Sequence, residues 1–180
     1  VIGGFGRGHD VRVSGRGPLA ILASGAPAAT CEDLLAESGL ADALRFITVD
    51  AVYPLAEGRL LEMLSGVERL LVIEELSPFL EDAITALLHR SGRQLPVMGK
   101  RTGHLPEEFE YEPSQIARAI HLGLGVGTAP AEPRPAPQVS VRPPSLCPGC
   151  PHRATQFAAR TVFGADGLYF NDIGCYTLGF

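Results

Sequence analysis

Short apolar runs alternate with helical patterns along residues 18 to 124. Three of these runs are almost continuously apolar, at 19–23, 44–49 and 70–73, as expected for strands buried on both faces. A shorter run at 95–97 adds a fourth strand, which Pro96 restricts to an edge because proline has no amide hydrogen to donate. Strands that alternate with helices indicate a parallel sheet flanked by helices, so the predicted fold class is α/β.

Four helices are predicted between and after these strands. The first runs from Pro27 to Gly39, because a first helical turn tolerates proline and glycine can adopt the left-handed closing conformation. The third opens at Ser77 and stops at Gly92, and its apolar residues follow the i, i+4, i+7, i+8 spacing. The last begins near Pro113. The second is shorter, and its apolar positions are Leu60, Leu61, Leu64 and Val67.

The proline-rich segment at residues 128–144 predicts an extended linker and therefore a domain boundary. We divide the chain into a connector (1–17), an α/β domain (18–127), this linker, and the start of a second, unfinished domain (145–180). The last part should hold a helix near 154–162 and a strand at 169–170. Because the sequence lacks an initiator Met, a signal peptide and a finished second domain, we expect an internal piece of a longer protein.

Composition narrows the classes of partner. The chain has 180 residues, of which 46% are hydrophobic, so it can bury a core. Its formal charge of −5 argues against a surface that binds the phosphates of nucleic acid. No apolar stretch approaches the roughly 20 residues that span a bilayer. Four cysteines without an export signal indicate a reducing compartment, and we expect a cytoplasmic protein.

The cysteines carry the most specific chemistry. Cys147 and Cys150 flank a Pro-Gly turn that can direct both sulfurs to one side, and Cys175 follows where a strand should give way to a loop. Three thiolates leave a tetrahedral site or a four-iron cluster one ligand short, and His152 or a cysteine outside this chain would complete it. A C-x-x-C pair alone fits zinc, a redox dithiol or a structural role equally well.

The sequence around these cysteines resembles that of one enzyme family. CPGCPHR at 147–153 and DIGCYTLG at 172–179 resemble the opening of the thiamine-diphosphate domain in the larger (alpha) subunit of indolepyruvate:ferredoxin oxidoreductases. Upstream, ILASGAPAATCEDLL at 21–35 and VIEELSPFLEDAI at 72–84 resemble the transketolase C-terminal-like domain that precedes it. The resemblance covers nearly the whole chain.

The resemblance implies an oxidative decarboxylation. An aryl 2-oxoacid would be converted to an aryl-acetyl-CoA, with coenzyme A as co-substrate and ferredoxin as electron acceptor. The implied cofactors are thiamine diphosphate, magnesium and a 4Fe-4S cluster, and the implied protein partner is a smaller (beta or gamma type) subunit or domain. The carboxylate that activates thiamine and the magnesium motif should lie outside this stretch, so we expect no catalytic residue here and an inactive fragment.

The resemblance also implies roles for individual residues. Cys147, Cys150 and Cys175 match three cluster ligands, and Asp172, Ile173, Gly174 and Cys175 should form a loop against the thiamine. His152 and Arg153 are further cofactor-binding candidates, and a helix-capping His beside a solvated Arg is an equally good interpretation.

Two other readings of the whole chain stay open. One is a non-oxidative thiamine-dependent decarboxylase with structural cysteines, and the other is a zinc-stabilised interaction module. Three local interpretations complete the prediction. Cys31 is a core residue. Glu74-Glu75 closes a buried strand, where α/β folds place ligand-binding residues, and a carboxylate that caps the next helix is the favoured alternative. The basic loop at 99–104 either meets phosphates of coenzyme A or a neighbouring subunit, or is solvated.

Overall fold

A computed structural model describes residues 11–131, 138–141 and 143–178. The glycine-rich run at 3–8, expected to be a connector, lies outside these residues. The chain forms two compact units that divide between residues 132 and 133, within the proline-rich segment.

The first unit is built on a five-stranded sheet. Its strands are β1 (Val11–Ser14), β2 (Leu19–Ser24), β3 (Arg45–Val49), β4 (Arg69–Ile73) and β5 (Val97–Met98), in the order β1-β3-β2-β4-β5. The strands β2 to β5 pair in parallel, whereas β1 pairs antiparallel with β3 in a register that sets Val11 opposite Val49. The sheet is therefore mixed.

Helices cover both faces of this sheet. They are α1 (Ala26–Glu37), α2 (Glu57–Met63), α3 (Phe79–Arg90) and α4 (Pro113–Leu124). The central strand β2 sends alternate residues to opposite faces, with Leu22 packing against the α2 and α3 side and Ile21 against the α1 and α4 side. Burial on both faces explains why the strand reads as an unbroken apolar run.

Most of the predicted elements are confirmed, but three expectations about strands and helices are wrong. The segment expected to be only a connector contributes β1, so the sheet is not purely parallel. Helix α2 ends at Met63, short of Val67, because Gly66 at φ 72° turns the chain away. Residues 169–170 are not a strand, since they pair with no other strand and Tyr169 instead donates its hydroxyl hydrogen to the Gly164 carbonyl.

The described part of the second unit contains α5 (Pro151–Phe163) and a 3-10 helix (Cys175–Leu178). Helix α5 has no buried residue, and large apolar side chains such as Phe157, Phe170 and Ile173 are exposed. None of the described helices in either unit is long and apolar enough to cross a membrane.

The turn between β1 and β2 supplies a prediction about stability. Gly15 has φ 66°, and a Cβ atom there would lie 2.0 Å from the Leu44 carbonyl oxygen and 2.4 Å from that of Ala41. Because both obstacles are backbone atoms, Gly15→Ala should lower the free energy of unfolding by about 3 kcal/mol or more. Urea denaturation followed by circular dichroism measures this loss.

Gly39 provides the matched control. It has φ 69° after α1, but nothing lies within 4 Å of its added Cβ. Gly39→Ala should therefore cost only the left-handed penalty of about 1–2 kcal/mol. Equal losses for the two variants would show that the contact with the Leu44 segment does not hold β1 in place.

Cys31 is fully buried on α1, and burial raises the pKa of its thiol from 9.0 to about 12. The thiol should stay protonated and unreactive at pH 8, and its ionisation should oppose folding only as the pH rises from about 9 towards 12.

In metal-free, reduced protein, a thiol-specific chromogenic reagent should label Cys147, Cys150 and Cys175 rapidly and Cys31 only on unfolding. Rapid labelling of all four thiols would refute this assignment.

Candidate functional site

The C-x-x-C segment forms a tight turn that leads into α5. The Cys150 amide donates to the Cys147 carbonyl at 3.1 Å, and Gly149 takes φ 73°, which suits glycine. Cys150 is the N-cap residue of the helix and Pro151 occupies its first turn. Both thiols are free, with Cys147 exposed and Cys150 half-buried.

The segment carrying Cys175 lies against the same end of α5. The rings of His152 and Tyr176 are in contact, with their centroids 4.0 Å apart. One helical turn further, the Gln156 side-chain amide donates to the Tyr176 carbonyl at 3.0 Å. His152 follows Cys150 by two residues and Tyr176 follows Cys175 directly, so the two cysteine motifs meet at the start of α5.

The donor chemistry of these cysteines suits an iron–sulfur cluster, because free thiolates are its usual ligands. Across residues 11–131, 138–141 and 143–178, no group of three or more His, Cys, Asp or Glu side chains is arranged to hold a metal ion. The structure thus brings together the segments that carry Cys150 and Cys175 without gathering the three predicted ligands at one point. The cluster assignment stays a prediction.

The loop expected to contact thiamine is open. Ile173 and Cys175 are exposed, and the Ile173 amide donates to the Asp172 carboxylate at 2.8 Å. Gly174 adopts φ 142°, a conformation that other residues rarely take, and no atom lies within 4 Å of the position where a Cβ would be. A ligand therefore has room to approach the backbone at this glycine.

His152 and Arg153 take different positions at the start of α5. His152 packs on Tyr176, and no side chain caps this helix, so a capping role for His152 is wrong. Arg153 is exposed and lines a cleft of about 500 Å³ together with Arg160 and Ser145. Two guanidinium groups make this cleft attractive to an anion.

In the first unit, polar chemistry gathers where the parallel strands end. Glu74 follows β4 and is buried, and its carboxylate accepts hydrogen bonds from the amides of Leu80 at 2.7 Å and Glu81 at 2.8 Å. These amides belong to the first turn of α3, so the predicted helix-capping role of Glu74 is confirmed. Burial raises the pKa of Glu74, and the two amide bonds oppose that shift.

The loop at 99–104 is tied to the same helix. The Glu81 carboxylate accepts hydrogen bonds from the amides of Lys100 at 2.8 Å and Arg101 at 3.2 Å. Lys100 is itself buried, donates to the Pro106 carbonyl at 2.8 Å and to the Tyr111 hydroxyl, and has a pKa lowered by burial. The solvated alternative offered for this loop is therefore wrong at Lys100.

Two clefts open beside these carboxylates, the first at the strand end where Glu74-Glu75 was considered as a ligand-binding position, the second not predicted. The first, of about 430 Å³, lies between the ends of β2 and β4, the place where open α/β sheets bind ligands. The second, of about 630 Å³, shares Glu75 and Leu76 with it. Phe109 lines the second cleft. An aromatic residue within the acidic run EEFEYE at 107–112 was the sequence feature that could have indicated this cleft.

Comparison with known proteins shows that the chain is similar to one group of named proteins. No protein-family model matches it. It is 38% identical to indolepyruvate oxidoreductase subunit IorA of Methanothermobacter thermautotrophicus over 169 residues, which is 89% of this chain and 26% of that protein. The IorA subunits of Thermococcus kodakarensis and Archaeoglobus fulgidus are 34% and 32% identical, over 89% and 92% of this chain and 26% and 27% of their own lengths.

The chain spans about a quarter of the length of these relatives. Within that quarter the similarity extends over nearly all of the chain and includes relatives from several organisms. The chain is thus a homologue of one segment of the indolepyruvate oxidoreductase subunit IorA proteins, which confirms the family resemblance expected from its motifs.

Proposed function

We propose that this chain is part of an oxidoreductase that converts an aryl 2-oxoacid of the indolepyruvate type to an aryl-acetyl-CoA and passes the electrons to ferredoxin. Its similarity to IorA proteins carries the proposal, since those proteins are named as subunits of an indolepyruvate oxidoreductase. The meeting of the two cysteine motifs at the start of α5 supports it, because an electron-accepting cluster requires ligands from both. A smaller subunit would complete the enzyme.

In this proposal Cys147, Cys150 and Cys175 hold a 4Fe-4S cluster, which supplies one-electron acceptance when bound. The exposure of Cys147 and Cys175 and the absence of disulfides leave these thiols available as ligands. The contact between His152 and Tyr176 positions one motif against the other. His152 or a cysteine from outside these residues provides the fourth ligand.

The loop Asp172–Cys175 faces the thiamine diphosphate in this proposal. The cofactor, held with magnesium, supplies the electron sink that decarboxylation of a 2-oxoacid requires. The protein contributes binding and orientation. Gly174 leaves space for the cofactor beside the backbone, and the exposed guanidinium of Arg153 complements the negative charge of a diphosphate.

Substitution of one cysteine tests the cluster assignment. In the full-length enzyme, purified without oxygen, Cys175→Ala should remove most of the bound iron and reduce indolepyruvate- and coenzyme A-dependent ferredoxin reduction by about 100-fold or more. The reason is that a cluster lacking one thiolate ligand is lost or no longer accepts electrons at a useful potential. Iron content and the visible absorbance of the cluster are measured beside the rate.

Cys31→Ala is the matched control, because Cys31 is buried in the first unit and has no role in this chemistry. It should retain both iron and activity, with at most a modest loss of stability from the smaller side chain. If the Cys175→Ala enzyme keeps its full iron content and rate while remaining folded, the role assigned to Cys175 is incorrect.

A further inference from the structure

An apolar surface is exposed at the carboxyl edge of the sheet in the first unit. It consists of Leu76, Phe79 and Phe109, which are 65%, 51% and 79% exposed. Leu76 lines both clefts at this edge, Phe79 lines the first and Phe109 the second, so Leu76 is common to the two parts of this surface. We call it the edge patch. Large exposed aromatic residues in such a patch are typical of protein interfaces.

The backbone that presents this patch is held from inside the unit. Leu76 and Phe109 take φ 56° and 64°, values that are uncommon for large side chains. Glu74 fixes the segment that follows β4, and the contact of Lys100 with Tyr111 fixes the segment that contains Phe109. The backbone on both sides of the patch is therefore tied to the interior of the unit, and such preorganisation reduces the entropic cost of association.

The surroundings of the edge patch are strongly acidic. Residues 74–82 and 99–112 contain eight acidic side chains and two basic ones, and because Glu74 and Glu81 are buried, six of the acidic side chains reach the surface. The two cations are already engaged, since Lys100 is buried and Arg101 binds Asp82 at 2.7 Å. Glu108 and Glu110 are exposed beside Phe109.

This charge selects the occupant. Nucleic acid and anionic lipid would be repelled, and a second copy of the chain would place two acidic surfaces against each other if the two patches met. A protein segment with Lys or Arg around an apolar side chain satisfies both features, because its apolar group covers Leu76 and Phe109 while its cations face Glu75 and Glu110.

We propose that the edge patch is a docking surface for a basic partner segment that carries an apolar or aromatic anchor. The inference goes beyond the proposed reaction and does not depend on it, since the patch belongs to the first unit and the cysteines to the second. Failure of the cluster assignment would leave this inference standing.

Selection from a phage library of random peptides against the full chain tests the proposal. Enriched peptides should contain two or more Lys or Arg within a few residues of Phe, Tyr, Trp or Leu. One of these, made synthetically with a fluorescent label, is then titrated with the chain, and its affinity should fall about tenfold or more between 50 and 300 mM salt.

Two variants locate the binding surface. Phe109→Ala and Glu110→Lys should each weaken binding of the synthetic peptide about tenfold or more, because they remove the apolar contact and reverse one charge. Glu112 is left unchanged because its side chain takes part in the capping box of α4. Circular dichroism verifies that the variants are folded.

Matched controls make the same changes elsewhere. Phe157→Ala alters a phenylalanine that is 75% exposed in the second unit, and Glu32→Lys reverses an exposed charge on α1. Both should bind the peptide as the unchanged chain does. Failure to enrich any peptide, enrichment of acidic or purely polar ones, or equal affinity for the Phe109→Ala and Phe157→Ala variants would each overturn the proposal.

Discussion

The carboxylate of Glu74 at the start of α3 is the contact on which the carboxyl edge of the first unit depends. Burial of this charge is unfavourable, as the raised pKa indicates, and the amides of Leu80 and Glu81 offset the cost. Glu81 in turn binds the amides of Lys100 and Arg101, and Lys100 reaches Tyr111. A single run of polar contacts therefore connects β4, α3 and the loop after β5.

These polar contacts also require the absence of a side chain at Gly99. A Cβ atom there would lie 2.6 Å from a carboxylate oxygen of Glu81, so a side chain at this position would push that carboxylate away from the amides it binds. The same contacts hold the segments from which Leu76 and Phe109 emerge. The buried polar contacts and the packing of the core therefore determine where the residues of the edge patch lie on the surface.

The sequence predicted those elements whose cause is local. The strands β2 to β4 and the helices α1, α3 and α4 follow from apolar periodicity and from glycine and proline at their ends. The strand β1 was missed because its four residues gain stability only by pairing with β3, more than thirty positions away. The burial of Lys100 was missed for the same reason, since Glu81 and Tyr111 are remote in sequence.

For the candidate site, too, one part could be predicted from the sequence and another could not. The motifs around Cys147, Cys150 and Cys175 identify donors, and the structure adds that two of the segments meet through His152 and Tyr176. Spacing does not specify the metal, because zinc and iron–sulfur clusters use the same thiolates. Ligand geometry also forms together with metal binding, since the ion offsets the mutual repulsion of the thiolates.

Iron, zinc and acid-labile sulfide, measured in the full-length enzyme purified without oxygen, test whether the three cysteines hold an iron–sulfur cluster. About four iron and four sulfide should be bound through Cys147, Cys150 and Cys175 and be lost when these three residues are replaced together by alanine. Stoichiometric zinc in place of iron, or an iron and sulfide content unchanged by the triple replacement, would contradict this assignment.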